Sequence, residues 1–173
     1  MAFLFGRFNM KFFTIFVLNL FVSFYATNLY AQNIVGWLEN ITLINQSQQI
    51  SIESKIDSGA DHSSIHAEDI TFFQKGDKDW IRFTTISDYI IEAPFVRNAQ
   101  IKTKRIGVQD RPVVLLEVCI GDVRRKIEVN LVDRKHFSKP MLIGRSALSN
   151  FLIDPTKTYL LIQDSCTDYK YIY

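Results

Sequence analysis

Alternation of apolar and polar residues runs through most of the chain after residue 32 and predicts β-strands. Between Gln49 and Asp57, isoleucines occupy one side of a period-two pattern and polar residues the other. Similar runs predict strands at Trp37–Asn45, Gln49–Asp57, Ile70–Gln74, Trp80–Ile86, Tyr89–Val96, Ala99–Ile106, Val113–Ile120 and Val123–Val132. Two pairs of these runs are joined by hairpin-type turns, Lys75–Asp79 and Gly121-Asp122. The pattern predicts an all-β domain, a barrel or sandwich, with one short late helix at Gly144–Asn150.

The first 31 residues have a different pattern, which is typical of an export signal. Lys11 precedes the mainly apolar run Phe12–Tyr25, and a more polar stretch ends in Ala31. This run of 14 residues is shorter than the ~20 that a membrane-spanning helix needs. We expect cleavage after residue 31, a domain of residues 32–173 and a periplasmic or secreted protein. An uncleaved anchor is the alternative, and Met10 could serve as the initiator.

Composition and charge exclude several classes of protein. Of 173 residues, 47% are hydrophobic and 22% are charged, which is typical of a globular chain. Removing Arg7 and Lys11 with the signal leaves 18 basic residues against 18 acidic ones. A chain with no net charge offers no electrostatic case for binding nucleic acid, so we expect no nucleic-acid partner.

Two cysteines, Cys119 and Cys166, remain in the expected mature chain. An oxidising compartment permits a disulfide between them, and two separate buried thiols are the alternative. Neither cysteine has an adjacent histidine or a Cys-x-x-Cys spacing, so nothing indicates an activated thiolate.

Catalytic chemistry is indicated where a predicted strand delivers Asp57 into the turn Ser58-Gly59-Ala60-Asp61. Gly59 allows the backbone to turn sharply, and the Ser58 hydroxyl can anchor the turn. The Asp57 carboxylate then projects from a rigid strand end. An Asp-Ser-Gly sequence alone is weak evidence, because these residues form turns in many proteins.

A second stretch, Met141–Leu148, joins an apolar strand to a Gly-Arg pair and the predicted helix. With this stretch, Asp57–Asp61 resembles the catalytic Asp-Thr-Gly-Ala-Asp turn of the retroviral-type aspartic proteases, the retropepsins. Leu142–Arg145 resembles the apolar-apolar-Gly-Arg element that closes their active-site floor. The resemblance implies a closed or partly closed barrel with one short C-terminal helix.

A closer resemblance covers residues 34–163. It rests on Val35-Gly36-Trp37, Lys55–Ala60, Ser64–Ala67, Arg111–Val114, Asp133-Arg134 and Pro140–Arg145, in that order. These motifs are similar to a bacterial family historically labelled ATP-dependent zinc proteases and regarded structurally as retropepsin-like aspartic endopeptidases. Some of its members accompany ATP-grasp glutamate ligases that modify a ribosomal protein. Ser58 stands where the family usually has Thr, and Asp61 where it often has Lys or Arg.

The resemblance implies an aspartic endopeptidase that acts on peptide or peptide-like amide bonds. Because the chain has one Asp-Ser-Gly sequence, a dyad needs Asp57 from each of two chains, hence a homodimer. The turn and its support are expected to be Ser58, Gly59, Ala60, Asp61, Ile143, Gly144 and Arg145. Asp61 and Arg145 are expected to form a partly buried ion pair, and a hairpin over the cleft is sought in Trp80–Val96.

Other functions remain open. His62 and His66 would share one face of a helix and could hold zinc, but Ser63 replaces the glutamate of the metalloprotease motif. No Gly-x-x-x-x-Gly-Lys-[Ser/Thr] motif occurs, so we expect no ATP and no cofactor. The alternatives are a zinc-dependent hydrolase and a non-catalytic dimeric β binding module. Arg124–Lys126 is interpreted as an exposed strand start.

Overall fold

β-strands make up most of the computed structural model, which describes residues 33–46, 48–103 and 107–161. The strands are β1 (Asn33–Gly36), β2 (Leu38–Asn45), β3 (Gln48–Asp57), β4 (Ser63–His66), β5 (Glu68–Lys75), β6 (Lys78–Thr84), β7 (Ile90–Thr103), β8 (Gly107–Ile120), β9 (Val123–Val132), β10 (Met141–Gly144) and β11 (Phe151–Asp154). The expected signal peptide, residues 1–31, lies outside the described part. No helix within the described ranges is long and apolar enough to cross a membrane. The all-β prediction is therefore confirmed at the level of fold class.

Six strands form a ring of hydrogen-bonded neighbours. The order β2-β3-β10-β4-β9-β8 returns to β2 because β2 pairs with both β3 and β8. β5, β6 and β7 continue the sheet from β8 as an antiparallel meander, while β1 and β11 form a separate parallel pair. The pairing of β10 between β3 and β4 places residues distant in sequence side by side.

The core follows from the alternation in the sequence. In β3 the even-numbered residues from Ile50 to Ile56 are buried, while Glu53, Lys55 and Asp57 on the other side are partly exposed. Fully buried residues of the other strands complete the core; they include Ile41, Leu43, Ile65, Phe83, Ile120, Leu131, Met141 and Ile143. One face of β3 is thus fixed by the core, which leaves its opposite face free to carry polar groups.

Two predicted strands, Tyr89–Val96 and Ala99–Ile106, correspond within the described residues to the single strand β7. The polar residues Arg97 and Asn98 favour a turn, but β7 continues with a register shift between Phe95 and Arg97. At this irregularity β7 changes partner from β6 to β8. The region in which a hairpin over the cleft was sought therefore forms parts of β6 and β7.

The helix predicted at Gly144–Asn150 is replaced by one turn of 3-10 helix, Arg145–Ala147. Asn150 adopts a left-handed conformation (φ 68°), and β11 begins directly afterwards. The interpretation of Arg124–Lys126 as an exposed strand start is wrong for Arg125, of which only 9% is exposed. A charged run can hide a buried residue because side chains alternate between the two faces of a strand.

Cys119, on β8, is 2% exposed and is disulfide-bonded. Cys166 lies outside the described residues. The alternative of a separate buried thiol is therefore wrong for Cys119.

Candidate active site

The carboxylate of Asp57 is held at the end of β3 by the turn that follows it. Its Oδ1 accepts a hydrogen bond from the Gly59 backbone N–H at 3.0 Å, and its carbonyl oxygen accepts one from Ala60 at 3.2 Å. The side chain remains 31% exposed. A Cβ added at Gly59 would lie 3.3 Å from Asp57 Oδ1, so the small residue leaves room for the carboxylate. Asp57 is therefore both oriented and accessible to a ligand.

β10 supports this turn from the adjacent position in the sheet. Ile143 pairs with Ile56, and Gly144 pairs with Asp57, in parallel register. The Gly144 N–H donates to the buried Ser63 Oγ at 3.1 Å. A Cβ at Gly144 would lie only 2.5 Å from the carbonyl carbon of His62, which explains the need for glycine at this position. The apolar-Gly element identified in the sequence thus forms the packed support of the Asp57 turn.

The residues that follow Gly144 hold the turn through its carbonyl groups. Arg145 N–H donates to Ala60 at 2.7 Å, and Ser146 N–H donates to the Asp61 carbonyl at 3.1 Å. The Arg145 guanidinium pairs with the Asp61 carboxylate and lies 3.4 Å from the Ser58 carbonyl oxygen. The two paired side chains are 64% and 70% exposed, so the expected burial of this ion pair is absent from the single chain.

Positive charge surrounds Asp57. Lys55 Nζ lies 3.6 Å from Asp57 Oδ2 on the same face of β3. A second cation, Arg134, interacts electrostatically with Asp57 and with Arg111. Burial is the main cause of the lowered pKa of Arg134, Arg111 lowers it further, and Asp57 acts in the opposite direction. The cations Lys55 and Arg134 can therefore also attract other anions to this position.

Arg134 is a residue of this region for which the sequence analysis predicted no role. Its Nη1 donates to Ser64 Oγ at 2.8 Å and its Nε donates to the Lys139 carbonyl at 3.1 Å. Its backbone N–H donates to His66 Nδ1 at 3.0 Å. The sequence signal for Arg134 was its place in the Asp133-Arg134 motif of the family resemblance. Its burial could not be predicted, because an isolated arginine in a polar loop gives no indication of burial.

The helix on which the zinc alternative with His62 and His66 was based is not formed. His66 is the last residue of β4, a strand that begins directly after His62. His66 instead clusters with Glu68 and Asp133, with ligand atoms within 4.8 Å of one another. Its Nδ1 accepts the Arg134 hydrogen bond, and Glu68 pairs with Lys135. These contacts connect the segment after β9 to β4 and β5.

A family model described as retropepsin-like aspartic endopeptidase RimB matches residues 34–164. The chain belongs to this RimB-like family. A solved structure from Legionella pneumophila, of a protein of unknown function, is 36% identical to it. The match covers 76% of this chain and all of that one, with a TM-score of 0.68. The residues matched by the RimB-like model include Asp57 and the Gly144-Arg145 element.

The RimB-like domain is also similar to part of larger proteins. A protein of Shewanella halifaxensis named probable alpha-L-glutamate ligase is 30% identical over 131 residues, which are 71% of this chain and 29% of that protein. A protein of Parasynechococcus marenigrum with the same name is 29% identical over 119 residues, 64% of this chain and 26% of its own. The chain spans less than a third of the length of these relatives.

Proposed function

We propose that this protein is an exported aspartic endopeptidase that works as a homodimer with one Asp57 from each chain. The observation that carries the proposal is the Asp57 carboxylate, fixed by Gly59 and supported from below by Gly144 and Arg145. Membership of the RimB-like family, which is described as aspartic endopeptidase, supports a catalytic role for this carboxylate. The disulfide at Cys119 is consistent with export to an oxidising compartment.

The chemistry follows from two carboxylates that share one proton. Like charges a few ångströms apart cannot both ionise at low cost, so one Asp57 stays protonated while its counterpart is ionised. The ionised carboxylate takes a proton from water as the oxygen attacks the scissile carbonyl carbon, and the protonated carboxyl donates to the carbonyl oxygen. The tetrahedral intermediate collapses when the C–N bond breaks: the leaving nitrogen takes the proton that one Asp57 accepted from water, and the other Asp57 takes back the proton that it gave to the carbonyl oxygen.

We further propose that the peptide substrate carries acidic side chains. Lys55 lies 3.6 Å from the Asp57 carboxylate, and the buried Arg134 adds positive potential. Opposite charge on a substrate raises its local concentration and its rate of association. The glutamate ligases to which this chain is similar point to the same class of residue.

The decisive experiment compares wild type, Asp57→Asn and the matched control Asp77→Asn on a library of peptides at acid and neutral pH. Asp77 lies in the exposed turn between β5 and β6 and takes no part in the contacts of Asp57 described above. We expect hydrolysis by wild type and by the control, none by Asp57→Asn, and no effect of a chelator. Peptides rich in Glu should be cleaved faster than their Gln counterparts, with a difference that shrinks at high salt.

The two-chain dyad is tested by mixing wild type with a growing excess of Asp57→Asn chains. Mixed dimers hold one ionisable Asp57, so activity per wild-type chain should fall as the variant is added. Activity in strict proportion to the wild-type chain would contradict a shared dyad. Loss of activity on chelation would favour a zinc hydrolase, and no cleavage by wild type would favour a binding module.

A further inference from the structure

The short segment that holds the catalytic turn has little means of stabilising itself. The 3-10 turn Arg145–Ala147 is three residues long, and its N-terminal residue, Gly144, offers no side-chain cap. A single helical turn is marginal on its own, because fixing its backbone costs more than one or two hydrogen bonds return. Yet this segment supplies the N–H groups of Arg145 and Ser146 to the turn after Asp57.

Arg125 binds the far end of this segment from inside the fold. Its Nη1 donates to the Ala147 carbonyl at 2.8 Å and to Ser149 Oγ at 3.1 Å, and its Nη2 lies 3.3 Å from the Ser149 carbonyl oxygen. The guanidinium carbon also lies 5.2 Å from the centre of the Phe151 ring, at the start of β11. One side chain on β9 therefore contacts Ala147 and Ser149, which lie between Gly144 and β11, and Phe151, the first residue of β11.

The group that makes these contacts is a buried cation, and burying it costs free energy. Burial lowers the pKa of Arg125, and its Nε has no hydrogen-bond partner. Among the described residues no carboxylate forms an ion pair with it. A buried cation without a counter-charge costs free energy that an apolar residue on this inner side of β9 would avoid. An apolar residue could not replace the guanidinium, whose planar arrangement of N–H groups donates to Ala147 and Ser149 at the same time.

We propose that Arg125 is a positioning residue of the active site. By holding the carbonyl groups of Ala147 and Ser149, it keeps the N–H groups of Arg145 and Ser146 on the turn that orients Asp57. Its effect on hydrolysis rests on the proposed peptidase function, whereas its effect on the geometry of the segment does not.

Amide hydrogen exchange tests the geometric part on the full chain with Arg125→Met, Arg125→Lys and the control Lys126→Met. Lys126 is the next residue of β9 and points to solvent, so its substitution changes charge and length without touching the segment. We expect Arg125→Met to speed exchange at Arg145 and Ser146 by about tenfold or more, relative to core amides of β3 and β9. Arg125→Lys should give a smaller increase, and Lys126→Met none.

A general loss of stability would instead raise exchange at all of these amides together. If Arg125→Met does not fold, Arg125→Lys alone decides, because it keeps the charge and loses the fork. Unchanged protection of Arg145 and Ser146 in a folded Arg125 variant would overturn the proposal.

The kinetic part uses the peptides that wild type cleaves. Loss of orientation should lower kcat by about tenfold in Arg125→Met and leave KM nearly unchanged, because binding contacts are retained. A rise in KM alone would contradict a positioning role. If wild type cleaves nothing, the proposed function fails, and the exchange experiment still decides the role of Arg125.

Discussion

Two arginines belong to opposite ends of the turn Arg145–Ala147: Arg145 is its first residue, and Arg125 binds its last residue from β9. The Arg145 side chain is 64% exposed and pairs with the Asp61 side chain, which is 70% exposed. Arg125, which contacts the end, is 9% exposed and binds the carbonyl groups of Ala147 and Ser149. The sequence motif drew attention to the exposed arginine, while the buried one lay in a charged run.

The two arginines are expected to contribute differently to the stability of the fold. An ion pair in water contributes little to the free energy of unfolding, because solvent screens the charges and both side chains lose freedom. Buried hydrogen bonds contribute more, since the groups left without partners cannot turn to water. We therefore expect the packed contacts around Gly144 and Arg125 to dominate stability and the Arg145–Asp61 pair to matter chiefly for local geometry and charge.

The largest loss of stability is expected for Gly144→Ala. A Cβ there would lie 2.5 Å from the carbonyl carbon and 2.6 Å from the carbonyl oxygen of His62, so backbone must move. We expect a loss of about 3 kcal/mol in the free energy of unfolding, measured by denaturant titration. The control is Gly59→Ala, whose Cβ meets only the Asp57 carboxylate, at 3.3 Å. Equal effects of the two substitutions would show that close packing under the turn is not decisive.

An intermediate loss is expected for Ser63→Ala. This change leaves the buried Gly144 N–H without its acceptor, which costs about 1–2 kcal/mol of unfolding free energy. Ser58→Ala is the matched control, because Ser58 is exposed and its substitution should stay within about 0.5 kcal/mol of wild type. Thermal unfolding of both variants checks the order. A Ser63→Ala protein as stable as wild type would weaken the distinction between packed and exposed contacts.

Most strands and the Asp57 turn could be predicted from the sequence, because local patterns determine them. The alternation in β3 is regular because one of its faces is fully buried, and Gly121 marks the β8–β9 hairpin by its left-handed conformation (φ 62°). β1, β4 and β11 were not predicted, because each has four residues and too few alternations to produce a pattern. Their pairing partners are distant in sequence, so only the assembled sheet defines them.

The residues that support the site were harder to predict from the sequence, because their roles depend on contacts with residues far away along the chain. Arg125 is separated from Ser149 by 24 positions and Arg134 from Ser64 by 70, and no local pattern links such pairs. The prediction of a helix after Gly144 was wrong for a related reason. Arg125 binds Ala147, and β11 pairs with β1 from Phe151 onward, so no residues are left for a second helical turn. Helical propensity was overruled by tertiary contacts.

The smallest effect is expected for the Arg145–Asp61 pair, and its measurement sharpens the comparison most. A double-mutant cycle with Arg145→Ala and Asp61→Ala should give a coupling of about 0.2–1 kcal/mol that falls with added salt. This expectation follows from the exposure of both side chains in a single chain. A coupling well above 2 kcal/mol that salt does not change would mean that the pair is buried when two chains associate. Repeating the cycle at concentrations above and below the dimer dissociation constant separates these cases, because burial by a second chain strengthens the coupling only where dimers form. Asp61 and Arg145 would then belong to the packed support of the site, and the contrast with Arg125 would hold only for the isolated chain.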